Sequence, residues 1–358
     1  MMVDSSGKCS ANCAFRIRHL AGLTWSSFQN GTYSKPFLLR SARNPAMPSL
    51  NAIQTANSAF SHLTSPPPVA VFVGGTSGIG EGMAKAFARQ TKGNSSIVIV
   101  GRNQSAADRI LASLPPSDAG VTVAREFVQC DATLMKNVQD ATRGILDKFP
   151  KINYLVVSTG IMTTAGRTET AEGIDRKLAV HYYARWKFVH DLLPAVQAAK
   201  DAGEHASVMT VLAPGYGGEI DLNDLALKNT YSLSKVALVA STYNDLMCES
   251  FAEKASTIPF IHAHPGFVRT PLFANSPSLL FRVIAPVGMA LLRPWTVSAD
   301  DCAEYMWNAI YSTAKTPGAW RTGFHGEDLA KKRYYGDEEQ RKKLWEHTSE
   351  VVEGALKS

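Results

Sequence analysis

The chain has 358 residues, 45% of them hydrophobic, and a formal charge of +6. That length suits one large α/β domain or two small ones. No Asp or Glu lies between Ser5 and Pro68, while Lys8, Arg16, Arg18, Lys35, Arg40 and Arg43 do. The excess charge therefore sits in a leader, the remainder is nearly neutral, and a basic nucleic-acid surface on the folded part is disfavoured. The 5 cysteines are an odd number without Cys-x-x-Cys spacing, which suits a reducing compartment.

Residues 1–66 read as an N-terminal extension. The stretch Met1 to Asn44 is Ser-rich with scattered Arg and lacks the apolar run of a secretory signal. Two readings stand: a mitochondrial transit peptide, or disordered sequence upstream of a second start at Met47, with a cytoplasmic protein in the latter case. A short helix is predicted over 49–63, stopped by Ser65-Pro66-Pro67-Pro68.

The apolar run Val69-Ala70-Val71-Phe72 then enters Val73-Gly74-Gly75-Thr76-Ser77-Gly78-Ile79-Gly80 and a helical pattern from Glu81 to Arg89. A strand, a glycine turn and a helix N-terminus in that order are what a dinucleotide pyrophosphate requires. Gly74 permits the sharp exit from the strand, Gly78 lets the backbone approach the phosphates, and Gly80 lets the helix pack on the sheet. Thr76, Ser77 and Ile79 complete the candidate contacts; a glycine-rich turn holding no nucleotide is the alternative.

The loop resembles that of the short-chain dehydrogenase/reductase family, in a fungal-looking branch, with Val73 where the family usually has Thr. The resemblance runs from about Val69 to the mid-320s. It implies a single doubly wound parallel α/β sheet over residues 67–330, followed by a helical tail over 331–358.

Ile97-Val98-Ile99-Val100 reads as a buried parallel strand ending in Gly101-Arg102-Asn103. An acidic residue there would accept the ribose hydroxyls of NAD, whereas an Arg pairs with the 2′-phosphate of NADP. No acid occurs before Asp108, so Arg102 points to NADP(H). A third strand over Val121 to Val128 leads to Asp131, the adenine-contacting position by resemblance and equally a cap for a helix from Leu134 to Phe149. The fourth strand, Tyr154 to Val157, ends in Ser158-Thr159-Gly160 where the family has Asn-Asn-Ala-Gly. Ser158 and Gly160 remain candidates to face the ribose.

Tyr231 and Lys235 have the i, i+4 spacing that puts two side chains on one helix face. There the ammonium stabilises a phenolate, Tyr231 gives a proton to a carbonyl oxygen or takes one from an alcohol, and hydride moves at the nicotinamide. Two departures stand beside this pair. After the strand Ser207 to Val211, the expected Ser is replaced by Leu212-Ala213-Pro214. His181 replaces a helical Asn that anchors water in the family; it reads as a water anchor, an acid or base, or a helical His bonded to a carbonyl.

Past a sixth strand, Ile258 to His264, comes the turn Pro265-Gly266. The resemblance puts the Val268 backbone near the carboxamide and Thr270 near the phosphates. His262-x-His264 lacks a third ligand and is not read as a metal site. The apolar stretch 272–297 is broken by Arg282, Pro286 and Arg293 and is no membrane span. In the family it resembles, the segment after Pro-Gly covers the substrate, so an apolar lid here implies a bulky apolar carbonyl or alcohol substrate; ordinary packing or contact with one membrane face is the alternative.

The last domain helix starts after Ser298, and a solvated helix packed by Leu344, Trp345, Val351 and Val352 ends the chain. The family also implies a homodimer on the helices near Asp175 and Tyr231, with Val239, Tyr243, Leu246 and Met247 available. The function expected is an NADPH-dependent short-chain oxidoreductase of secondary metabolism. A nucleotide-binding protein with little catalysis is the rival, and a steroid or retinoid dehydrogenase a further alternative.

Overall fold

In the computed structural model the residues described are 48–62, 67–270 and 296–358. Their centre is a seven-stranded parallel sheet. In chain order its strands are β1 (Val69–Val73), β2 (Ser96–Gly101), β3 (Arg125–Gln129), β4 (Tyr154–Val157), β5 (Ser207–Val211), β6 (Pro259–Ala263) and β9 (Gly318–Thr322). They lie side by side as β3-β2-β1-β4-β5-β6-β9. Chain direction across the sheet reverses beside β1, and β1 pairs with both β2 and β4. A crevice therefore opens at the carboxyl ends of these strands, the switch point where open α/β sheets bind ligands. A small parallel pair, β7 (Val268–Arg269) and β8 (Val297–Ser298), was not expected.

The apolar runs of β1, β2 and β4 are buried because helices cover both faces of the sheet. One face carries α2 (Gly78–Gln90), α3 (Gln104–Ala112) and the helix Ala299–Asn308. The other carries α4 (Met135–Lys148), α6 (Ala184–Asp201) and α7 (Leu233–Lys254). Ser298 caps its helix as predicted, its hydroxyl accepting from Asp301 N–H. The third strand starts four residues later than its sequence suggests, at Arg125.

Two further boundaries need correction. Residues 50–58 form α1, whose Ile53 and Asn57 are buried. Asn57 donates to the Glu304 carbonyl and carboxylate. This part of the extension thus belongs to the folded body. The final helix, Glu338–Lys357, begins later than the charge pattern suggests, and it is part of the core: Leu344 and Val352 are buried in the same cluster as α4, α6 and α7.

Under that helix, Val239, Tyr243, Leu246 and Met247 are buried within the subunit, so they offer no open dimer face. The leader 1–46, with Cys9 and Cys13, and nearly all of the lid 272–297 lie outside the described residues. Cys130, Cys248 and Cys302 are buried free thiols. Among the described residues no helix is long and apolar enough to cross a membrane, and no group of three or more potential metal ligands occurs.

Candidate active site

The crevice is a cleft of about 850 Å³. Gly74, Thr76, Ser77, Gly78 and Ile79 line it, and so do Arg102, Asp131, Ser158, Gly160 and Thr270. Gly74 has φ +84°, and a Cβ there would lie 2.7 Å from the Thr159 nitrogen. Gly80 has no room either: a Cβ would stand 2.6 Å from both the Gly74 oxygen and the Ser158 hydroxyl. Glycine therefore lets α2 start directly against the ends of β1 and β4. Ser77 is the N-cap residue but its side chain caps no amide, so the first-turn N–H groups remain available to an anion in the cleft.

Arg102 is exposed at the tip of β2. Asp131 does not cap α4. Its carboxylate accepts from Thr133 N–H at 3.0 Å, while Glu172 takes the N–H groups of Met135 and Lys136 at 2.6 and 3.0 Å.

The opposite wall, which sequence reasoning missed, is the segment from Ile161 to Ala165 with Thr168, Glu169 and Arg176. The turn Thr159–Ile161 is held from behind by a polar network. Arg185 is buried on α6, and among the described residues no carboxylate pairs with it. Its guanidinium donates to Thr159 O at 2.6 Å, Thr210 Oγ1 at 2.6 Å and Val211 O at 2.9 Å. Thr210 donates to Asn244 Oδ1 at 2.8 Å, and Asn244 donates to the His181 carbonyl at 2.8 Å.

His181 closes the ring, its Nε2 accepting from Ile161 N–H at 3.2 Å. It lies in a π-turn, Ala179–Tyr183, between α5 (Arg176–Leu178) and α6. Burial, then the charges of Arg185 and Lys177, push its pKa down to about 3. His181 is therefore a neutral acceptor that positions the cleft wall, bonded to an amide rather than a carbonyl. Burial also lowers Arg185, to about 9, so it remains mainly cationic at neutral pH. An Arg four residues after His181, at helical spacing, was the signal available in the sequence.

Tyr231 and Lys235 are not brought together. The helix expected to carry both begins at Leu233, with Ser232 as its N-cap, so Tyr231 precedes it and the i, i+4 argument does not apply. Lys235 Nζ donates to Thr230 Oγ1 at 2.6 Å, and that hydroxyl donates to Asp224 at 2.8 Å.

The Tyr231 hydroxyl is buried and finds no hydrogen-bond partner among the described residues. The cation over its ring is Lys177, 5.6 Å from the centroid, which donates to Ala165 O at 2.6 Å in the cleft wall. Burial and the Asp175 charge push the phenol up to about 12. Neither Tyr231 nor Lys235 is among the residues lining the cleft, nor is Val268, which packs on the core.

Where the family has its Ser, Ala213 is fixed through its backbone. Its N–H donates to His262 Nε2 at 3.2 Å, and His262 Nδ1 donates to Asp245 at 2.6 Å. Asp245 is paired at 3.0 Å with Arg321. His262 is thus committed inside the sheet.

Comparison with known proteins agrees with this architecture. Residues 68–278 match the family described as short chain dehydrogenase. The oxidoreductase andH of Emericella variicolor is 34% identical over 271 residues, covering 76% of this chain and 77% of that protein. The polyprenol dehydrogenase of Homo sapiens is 27% identical over 217 residues, covering 59% and 63%. Among solved structures, the NADPH-bound carbonyl reductase from chicken fatty liver superposes with a TM-score of 0.51 at 16% identity, covering 74% of this chain and 99% of that one. At that identity the likeness speaks for the fold alone.

Proposed function

We propose, from the premise that this chain belongs to the short chain dehydrogenase family, that it is an NADP(H)-dependent oxidoreductase. It would interconvert a ketone and an alcohol on a bulky, weakly polar substrate of secondary metabolism. The observation that carries the cofactor choice is Arg102, which lines the cleft at the tip of β2 with no acidic residue before Asp108. The glycine cradle and the uncapped start of α2 fit a pyrophosphate.

The cofactor, when bound, supplies or accepts hydride. Thr76, Ser77 and Ile79 would hold its phosphates and Arg102 the 2′-phosphate. Asp131 would meet the adenine, Ser158 and Gly160 a ribose, and Thr270, beside Gly78, the phosphates. Tyr231 would turn its unbonded hydroxyl toward the substrate carbonyl as the proton donor. With no hydroxyl at Leu212 or Ala213, one stabilising donor is missing, a loss of about 10² to 10³ in rate. Support for an apolar substrate comes from the composition of 272–297 and from relatives such as the polyprenol dehydrogenase.

A nucleotide-binding protein with little turnover is the second reading, favoured by the separation of Lys235 from Tyr231. Titration with NADPH and NADH decides the first step: wild type should prefer NADPH, and Arg102→Ala should remove about tenfold or more of that preference. Turnover of apolar ketones that disappears in Tyr231→Phe supports the enzyme; binding without turnover across the panel supports the rival.

A further inference from the structure

An unmatched charge lies behind the cleft wall. Arg185 is 1% exposed, and its guanidinium spans the carboxyl ends of β4 and β5, bonded to Thr159 O on one side and to Thr210 Oγ1 and Val211 O on the other. All three partners are neutral oxygens. Its Nε is buried as well and finds no acceptor among the described residues. The charges around it are matched by one another. Asp245 pairs with Arg321 at 3.0 Å and takes His262 on its other oxygen. Glu249 pairs with Lys331, Glu169 with Arg167, and the Asp175 charge acts on Lys177. Asp224 reaches Lys235 through Thr230. Glu327 belongs to the turn after β9, where it accepts His325 N–H at 3.0 Å and acts on His264. Outside the described residues the sequence holds a single acid, Asp4.

The place of this charge along the cleft follows from the sheet. Arg102 at the tip of β2 and Asp131 after β3 mark one end, on the β2 side of β1, and the start of α2 offers its amides to a pyrophosphate at the switch point. The other half of a dinucleotide then crosses to the β4 side, where Thr159 and Gly160 line the cleft. The Thr159 peptide stands between that half and the guanidinium that holds its oxygen. A Cβ on Gly160 would lie 3.5 Å from His181 Nε2. A neutral imidazole and a cation therefore form the layer behind this stretch of wall. Arg176 also lines the cleft, but it is exposed, so water and salt screen it.

We propose, on the premise that the cofactor of the proposed function occupies the cleft, that Arg185 sets the balance between its two redox forms, favouring the reduced, uncharged nicotinamide over the oxidised, cationic one. Both forms carry the same adenosine and the same phosphates, so the groups that hold those parts weigh equally on each. The difference is one positive charge on the ring, and a buried, unmatched cation behind the wall acts on that difference with little screening. Reduced cofactor is loaded in preference, and the oxidised form leaves more readily once it has given up hydride. By linkage the bound couple is easier to reduce than the free one, by about 30 mV for each tenfold in the affinity ratio. Arg185 touches no reacting atom; its hydrogen bonds position the wall, and its charge reaches across it.

Calorimetric titration of the full-length protein with NADPH and NADP+, and again with NADH and NAD+, reads the ratio of dissociation constants without turnover. In wild type the oxidised form should bind about tenfold or more weakly within each pair. Arg185→Met and Arg185→Gln remove the charge, and the ratio should fall about fivefold or more toward unity. The fall should be alike in both pairs, because the 2′-phosphate is common to NADPH and NADP+. Arg185→Lys, measured at pH 6 so that a buried amine stays protonated, should keep the wild-type ratio. A residue that only shapes the wall would weaken both forms equally and leave the ratio unmoved. Such an equal loss overturns the proposal, as does a Lys variant that behaves like the Met variant. A wild-type ratio near one overturns it with no variant needed, and leaves the proposed cofactor in place. Wild type that binds none of the four overturns the cofactor reading and this role of Arg185 together.

Discussion

Tyr231 keeps its proton across the neutral range, because burial and the Asp175 charge push its phenol up to about 12. A protonated phenol serves as an acid, so carbonyl reduction should proceed with a rate nearly independent of pH over roughly pH 6 to 9. Alcohol oxidation needs the phenolate and should rise about tenfold per pH unit over the same span. Steady-state kcat/KM profiles in both directions test this; reduction that titrates near neutrality would assign the proton to another group. The neighbouring cations should separate as well. Lys177 is buried, lies over the Tyr231 ring and holds Ala165 O, so Lys177→Met should lower kcat by about tenfold or more. Lys235 is engaged with Thr230, and Lys235→Met should change kcat by less than about threefold. A fall of a hundredfold in the Lys235 variant would restore the role its spacing first implied.

At the scale of elements, the nucleotide half was legible because its signals are local. The strand-turn-helix from Val69 to Gln90 follows from an apolar run, glycines at fixed offsets and helical spacing, all within about twenty residues. Gly80→Ala tests how tightly that joint is made. Its Cβ would arrive 2.6 Å from the Gly74 oxygen and the Ser158 hydroxyl, so α2 must move back and dinucleotide affinity should fall about tenfold or more, measurable by NADPH fluorescence titration. Affinity equal to wild type would mean that the helix start does not set the phosphate site. The other cleft wall was not legible, because its order comes from residues far apart in sequence. Arg185 reaches Thr159 and Val211, and Asn244 reaches the carbonyl of His181. No periodicity in α6 or α7 announces those pairs. The tyrosine helix misled for a related reason: Tyr231 and Lys235 have helical spacing, but Ser232 accepts from Lys235 N–H as the N-cap and fixes the helix start after the tyrosine.

Across the whole molecule, the C-terminal helix links the far side of the sheet to the cleft. Its Thr348 hydroxyl is 2.7 Å from Tyr182 and its His347 ring 2.8 Å from Tyr183. Those tyrosines follow His181 in the π-turn, so the helix braces the segment that holds the Ile161 amide. Thr348 Oγ1 donates to Leu344 O at 2.6 Å, which leaves it to accept the Tyr182 proton. Thr348→Val keeps the shape but leaves the Tyr182 hydroxyl buried and unpaired, a cost of about 1–3 kcal/mol. Urea unfolding should register that loss. If the brace also sets the wall, NADPH binding should weaken by a few-fold in the same variant, although Thr348 does not line the cleft. Lost stability with unchanged NADPH affinity would make the helix a cover for the core alone. Unchanged stability would mean that the Tyr182 hydroxyl finds another partner and the brace is not formed.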